Sequence, residues 1–456
     1  MSALNEEYAK RTEPRAPNPE SRAPLKSLDQ KLAAIHVDPS GAKDFILADA
    51  KDADMAFGIG APGKSPEMHA GEGRLRTLAE YREQIRQVVR PGAVDIVLMS
   101  ASTSDLLTIG ERLFDNSHVT PAARANDASD VFAVRGGHYL EPPTKPFRSA
   151  TLDHIQCGHV DCQPAERIRG ANLGLYSVTF NNRLDDDLRT LEEYGRFRAE
   201  AESKGFRHFL EVFDPNAPND LNPDQIPGFV NDHIARTLAG VSQAGRPVFL
   251  KIVYHGPKAL EELVTYDPHL IVGILGGAAG TTYDAFKLLA EARKYGARAA
   301  LYGRKINNAE CQLAFIEFLR LIIERQITPE EAVRAYHGVL QQLKIRPHRS
   351  LDDDLLLQTN VMSYGRSQVR SSKDKVQKND EPPGVSRRMD NEAAHACNCS
   401  SSGPKACHCH DKQSSAAQSA PSAIAASSDS PPLDFSKMTQ AEKLAYNKAR
   451  RDRIFG

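Results

Sequence analysis

Residues 208–253, HFLEVFDPNAPNDLNPDQIPGFVNDHIARTLAGVSQAGRPVFLKIV, decide the architecture. The segment opens on a mostly apolar run, His208–Phe213, with Glu211 as its lone carboxylate. It closes on a second run, Val248–Val253, which carries Lys251 as its lone cation. Between them, Val230–Ala244 spaces its apolar residues as a helix does. Short runs that are almost continuously apolar are the pattern of parallel strands covered on both faces. Two such strands joined by a helix make a βαβ unit.

The same alternation extends outward in both directions. Strand-like runs fall at Asp44–Ala48, Val94–Met99, Asp130–Val134, Gly174–Thr179, Leu270–Leu275 and Ala299–Tyr302. Helical patterns follow most of them, at Leu75–Val89, Ser104–Phe114, Leu188–Ser203, Ala259–Thr265, Tyr283–Tyr295 and Ala309–Arg325. Eight units within residues 41–345 match the count of a (β/α)8 TIM barrel. A doubly wound open sheet is the competing α/β arrangement. The third unit is irregular: Arg135–Arg169 holds several Pro and Gly and no clear helix, as a lid or an interface insert would.

Both ends differ from this middle. Residues 1–40 are polar and rich in Pro and charge, which predicts disorder with a short helix near Leu28–Ile35. Residues 366–436 are a Ser-rich, low-complexity linker that buries too little apolar surface to offset chain entropy. Residues 437–456 read as a short basic helix. The 456-residue chain therefore predicts one large domain with polar tails, and its 40% hydrophobic share is an average over both kinds of sequence.

Charge and composition exclude several classes. With 58 Lys and Arg against 59 Asp and Glu, the chain is not a protein that binds nucleic acid over its whole surface. No apolar run approaches the roughly 20 residues a membrane helix needs. The N-terminus is charged from the start and has no apolar core of a secretory signal. Four of the seven cysteines crowd into Cys397–Cys409, which is no disulfide framework. A reducing, cytoplasmic setting is expected.

Candidate chemistry sits at the strand ends. An amine held in an apolar strand loses water, which favours the neutral form that a Schiff-base nucleophile needs; Lys251 is placed for this. A snorkelling lysine paired with a carboxylate is the structural alternative. Glu211 lies one βα unit earlier, where neighbouring barrel strands bring both side chains to one mouth. It is read as a proton shuttle, or else as half of a buried ion pair. Asp49 ends the first strand in FILADAK as a third catalytic candidate, and Lys51 shares its side-parity as a contact for an anionic substrate. Two glycine-bearing strand ends complete the set: Gly276, Gly277, Gly280 and Thr281 after the seventh strand, and Gly303 with Arg304 after the eighth. Glycines let backbone N–H groups approach an anion, and barrels frequently hold phosphate in these two loops.

These residues resemble the class I (Schiff-base) aldolase superfamily, with greatest similarity to tagatose-1,6-bisphosphate and archaeal-type fructose-1,6-bisphosphate aldolases. The resemblance runs from about Phe45 to Arg325, and its specific part is residues 208–306. It implies an imine on Lys251, proton transfer by Glu211 and Asp49, and phosphate in the GILGGAAGTTYDAF and LYGRKI loops. It further implies a metal-independent carbon–carbon lyase acting on a phosphorylated sugar or keto compound, without a cofactor and as a homo-oligomer. One departure is notable. Tagatose-type enzymes carry a second lysine on the fourth strand, whereas ANLGLYSVTFNN has none, so that Tyr176 or Asn172 would substitute. The third-strand region departs too, and Asn126, Asp127 and Arg135 are candidates for an altered site.

The tail raises separate expectations. Cys397, Cys399, Cys407 and Cys409, with nearby histidines, are a dense set of soft ligands for zinc or copper, or a redox-labile thiol tract. LAYNKARRDRIFG resembles a SUZ-type RNA-binding motif through Ala449, Arg450, Arg453, Ile454, Phe455 and Gly456. That resemblance implies an RNA partner. It also keeps open a second function, a catalytically altered barrel that serves as an RNA-tethered binding or scaffold protein.

Overall fold

The computed structural model describes residues 25–65, 74–277 and 280–359. All of these lie in Met1–Arg366, the first of two units into which the chain divides. The expectations for the tail, its four cysteines and its basic tip lie outside the described residues.

Eight parallel strands close into a barrel: β1 (Ile46–Lys51), β2 (Ile96–Met99), β3 (Thr120–Arg124), β4 (Leu173–Thr179), β5 (Arg207–Phe213), β6 (Leu250–Ile252), β7 (Val272–Leu275) and β8 (Ala299–Tyr302). Each pairs with its neighbours in chain order, and β8 pairs with β1 to close the ring. The open-sheet alternative is thereby excluded. Helices Leu78–Val89, Leu184–Ser203, Ile226–Ala239, Pro257–Tyr266, Thr282–Lys294 and Gln312–Ile323 supply most of the outer layer. Among the described residues, no helix is long and apolar enough to cross a membrane.

The third strand is not where the apolar pattern pointed. Residues 130–134 form a 3-10 turn and loop, and β3 is Thr120–Arg124, TPAAR, fully buried. Alanine and proline hide it, since both are poor strand formers. Pro121 is tolerated for a local reason. The Thr120 amide bonds Asp95 O on the β2 side, so the next position points toward β4. Pairing between β3 and β4 starts only at Ala123 with Gly174, so no donor is missed at Pro121.

The pleat then sorts the side chains. Ile46, Ala48, Leu98, Leu175, Phe209 and Leu301 belong to the core inside the barrel. Their neighbours in sequence point to the helices, as when the Tyr302 hydroxyl donates to Ala285 O at 2.8 Å.

Helix Ser27–Val37, expected as a short element, belongs to the barrel itself. It buries Leu28, Leu32 and Ile35 in the same core cluster. Its start is fixed to the entry of β3, where Lys26 donates to Phe114 O, Ser117 O and Val119 O at 2.7, 2.7 and 3.1 Å. It therefore closes the end opposite the strand C-termini. Asp95 fastens it, accepting from Ser27 Oγ at 2.7 Å, Lys31 Nζ at 2.8 Å and the Leu47 amide at 2.8 Å. Burial pushes the Asp95 carboxyl up, but Arg320 and Lys31 more than offset this and hold it below its ordinary value. A depressed carboxylate contributes stability above its unfolded value and loses it as pH falls through the folded value. Asp95→Asn is expected to cost about 1–3 kcal/mol at neutral pH. In urea titrations the gap to the native chain should stay level at neutral pH and narrow below about pH 4.

Candidate active site

The site begins with a shared register. Ser177 on β4 pairs with Glu211 on β5, Glu211 with Lys251 on β6, and Lys251 with Gly273 on β7. All four share the inward parity of Leu175, Phe209 and Ile271. One row around the lumen thus holds a hydroxyl, a carboxylate, an amine and a position with no side chain. A Cβ on Gly273 would stand 2.6 Å from Leu250 O and 2.8 Å from the Ala299 Cβ, so this place beside Lys251 stays bare.

Lys251 and Glu211 are in direct contact, Nζ to Oε1 at 2.5 Å. The second carboxylate oxygen accepts from Ser177 Oγ at 2.8 Å and faces Arg124 Nη2 at 3.6 Å. Arg124, at the end of β3, also donates to Ser177 Oγ at 3.2 Å and, through Nε, to Asp52 Oδ2 at 2.7 Å. Burial pulls the guanidinium down, and Asp52 and Glu211 more than restore it. Asn126 fixes the rim by exchanging two hydrogen bonds with the Ser177 backbone, at 2.8 and 2.7 Å. Asp130 accepts from Thr179 Oγ1 at 2.6 Å and Thr144 Oγ1 at 2.8 Å, and burial pushes its carboxyl up. Lys251 is 8% exposed against 1% for Glu211. The amine is thus the member of the pair that reaches toward the mouth.

Asp49 and Lys51 do not join this cluster. Ile46, Ala48 and Ala50 are the inward positions of β1, so its alternate residues face the helices. Lys51 bonds Asn307, approaches Gln312 Oε1 at 3.3 Å and lies 3.3 Å from Asp49 Oδ2. Both side chains are fully buried between β1 and the helical layer. Burial pushes the Asp49 carboxyl up and the Lys51 amine down, each toward its neutral form. The carboxylate that β1 sends to the site is Asp52, one residue past the strand. Tyr176 likewise faces outward, its ring stacked on Phe197 with centroids 4.4 Å apart. Ser177 holds the inward place on β4.

The two glycine-bearing ends lie where the sequence puts them, after β7 and β8. Gly276 is required because a Cβ there would meet the Tyr302 ring at 2.1 Å. Gly277 and Gly280 have φ of +61° and +84°. Thr281 caps helix Thr282–Lys294, and the first amides of that helix already have acceptors. The Thr281 amide bonds Asp284 Oδ2 and the Thr282 amide bonds Asp354 Oδ1, at 2.8 and 2.7 Å. Asp354 comes from beyond residue 345, so the barrel domain extends to a segment the apolar pattern leaves out. Arg304 lays its guanidinium over the Phe57 ring, 5.2 Å from the centroid.

No family model matches the chain, and no curated protein does. Solved structures do. The chain is similar in fold to class I fructose-bisphosphate aldolases. A Schiff-base-forming fructose-1,6-bisphosphate aldolase is 15% identical with a TM-score of 0.44, covering 65% of this chain and 100% of its own. An archaeal fructose 1,6-bisphosphate aldolase is 17% identical with a TM-score of 0.44, covering 65% and 99%. The fructose-bisphosphate aldolase from Slackia heliotrinireducens is 13% identical with a TM-score of 0.47, covering 72% and 96%. At such identities and scores the likeness carries no argument of its own. The barrel rests on strand pairing, and the chemistry on the residues inside it.

Proposed function

We propose that the protein is a Schiff-base carbon–carbon lyase acting on a phosphorylated sugar or keto compound, with Lys251 as nucleophile. The observation that carries this is the 2.5 Å contact between Lys251 Nζ and Glu211 Oε1 at the inner wall of the barrel. Glu211 takes a proton from the ammonium, and the free amine adds to the substrate carbonyl. The resulting carbinolamine loses water as Glu211 returns that proton to the departing hydroxyl. The bond between the first and second carbons beyond the iminium carbon then breaks: the hydroxyl on the departing carbon gives its proton to a carboxylate, that carbon leaves as an aldehyde, and the electron pair passes to the iminium to form an enamine. Ser177 and Arg124 hold the far oxygen of Glu211, so its near oxygen stays aimed at the amine. Asp52, close to the same mouth, is the carboxylate of β1 available for the second proton transfer. Gly303 and Arg304, with Gly276, Gly277 and Gly280, are assigned to the substrate phosphate.

The test is reductive trapping. Borohydride added in the presence of a panel of phosphorylated ketoses should leave a stable adduct on the Lys251 peptide, read by mass spectrometry. A folded chain that never acquires the adduct with any ketose would sink the assignment.

A further inference from the structure

The connection from β3 to β4 carries only a short helix. Most units have one of ten residues or more; this one has Leu152–Cys157, six residues. The chain then turns sharply. Gly158 caps the helix with φ of +89°, and Asp161 takes φ of +56°, a conformation uncommon outside glycine. These two left-handed residues fold the loop back on itself. A disulfide joins Cys162 to Cys157, with Cα atoms 6.0 Å apart. Both cysteines are buried, at 3% and 6% exposure.

Two more donors converge here. One ligand atom each from Cys157, His159 and Glu166 lie within 4.8 Å of one another. The histidine is the telling one. Its Nδ1 is 2.8 Å from Val160 O, and a carbonyl only accepts, so Nδ1 carries the hydrogen. In the neutral ring Nε2 is then a lone pair, and it faces Glu166 Oε1 at 3.3 Å. Two acceptors at that distance repel unless a cation lies between them, a proton or a metal. A backbone carbonyl on Nδ1 is also the usual way a metal-ligating imidazole is oriented. With zinc bonds of about 2.0 Å to nitrogen and oxygen, a tetrahedron sets those two atoms about 3.3 Å apart, the separation seen. Arg169 Nη1 lies 3.7 Å from the same Glu166 oxygen and offsets part of the negative charge of such a donor set.

We propose that Cys157, His159, Cys162 and Glu166 bind one Zn2+ when the two cysteines are reduced. Binding forms two Zn–S bonds, one Zn–N bond and one Zn–O bond, and releases the two thiol protons to solvent. Two thiolates, an imidazole and a carboxylate suit zinc rather than magnesium or calcium. Four protein donors leave no open position, so the site is structural. Its place agrees. The Gly170 and Ala171 amides bond Gln156 O and Ile155 O just before β4 begins, so the loop enters β4 from its N-terminal end. The metal would fasten the short third unit there, away from the strand C-termini that carry Lys251.

The experiment uses the full chain with C397S, C399S, C407S and C409S, so that the tail thiols cannot contribute, kept reduced by a phosphine. Metal content after gel filtration with Zn2+ should be one equivalent. Co2+ used as probe should show thiolate charge-transfer absorption. C157S with C162S should abolish both. Because those substitutions touch buried residues, H159A and E166Q, on the more exposed part of the loop, supply an independent reading. Each should weaken Zn2+ binding by at least ~10-fold while leaving the fold intact. Three results would overturn the proposal: no retained metal in the reduced chain, binding indifferent to H159A and E166Q, or Co2+ bound without thiolate absorption. Borohydride trapping at Lys251 is read separately and does not depend on the outcome.

Discussion

Lys251→Met is expected to abolish turnover of a phosphorylated ketose, by on the order of 10^4- to 10^6-fold in kcat, as removal of a covalent nucleophile does when its partner groups depend on it. The reason lies in the order of the row. Glu211 has only one oxygen directed at the reacting nitrogen, because the other is held by Ser177 and lies beside Arg124. Without the amine, Glu211 has no group to deprotonate and no carbinolamine hydroxyl to protonate. The chain should still fold, since the carboxylate keeps the Ser177 hydroxyl and the guanidinium, and methionine fills the space of the lysine stem. Glu211→Gln separates the roles. It keeps the amine but loses the proton carrier, so kcat should fall by about 10²- to 10⁴-fold while borohydride still traps a slowly formed adduct. Steady-state kinetics together with the trapping yield decide the matter. If Lys251→Met retained more than about a tenth of native activity, the covalent mechanism would be lost.

How much of this was legible in the sequence follows from what each signal depends on. Glu211 and Lys251 stand out because a lone charge in an apolar strand must face a lumen, a mouth or a partner, whatever the exact register. The barrel is legible for a similar reason: seven of the eight strands are runs of apolar residues with turn residues between them. The exception, β3, is written in alanine and proline, and its loss hides Arg124, the cation that organises the lumen side of the site. Asp49 shows a different limit. Whether a residue faces the lumen depends on the phase of the pleat, and a one-residue change in phase exchanges the two faces. The sequence FILADAKDAD offers Asp49, Asp52 and Asp54 without fixing that phase. The packing of Ile46, Ala48 and Ala50 into the core fixes it, and hands the lumen to Asp52. The Cys157–Glu166 loop escapes notice for a third reason. Its donors are spaced irregularly, and only the left-handed turns at Gly158 and Asp161 bring them together.

Arg124→Met should be the most destabilising single change in the lumen, about 3–5 kcal/mol, because it removes the cation from a buried group and leaves its carboxylates behind. Asp52 then loses the 2.7 Å bond from Arg124 Nε, and Glu211 loses a positive neighbour at 3.6 Å. Lys251 cannot replace both, since it is already engaged with Glu211 and is carried on a different strand. The cost should therefore fall chiefly on Asp52. That makes a double-mutant cycle informative. Asp52→Asn in the Arg124→Met background removes the stranded charge and should recover roughly 1–3 kcal/mol, whereas Asp52→Asn alone should destabilise. Arg124→Lys keeps the charge but not the planar fork that reaches Asp52, Ser177 and Glu211 together, so it should recover only part of the loss. Urea midpoints at constant slope measure all four variants. An additive cycle would mean that Asp52 is satisfied by solvent at the mouth instead.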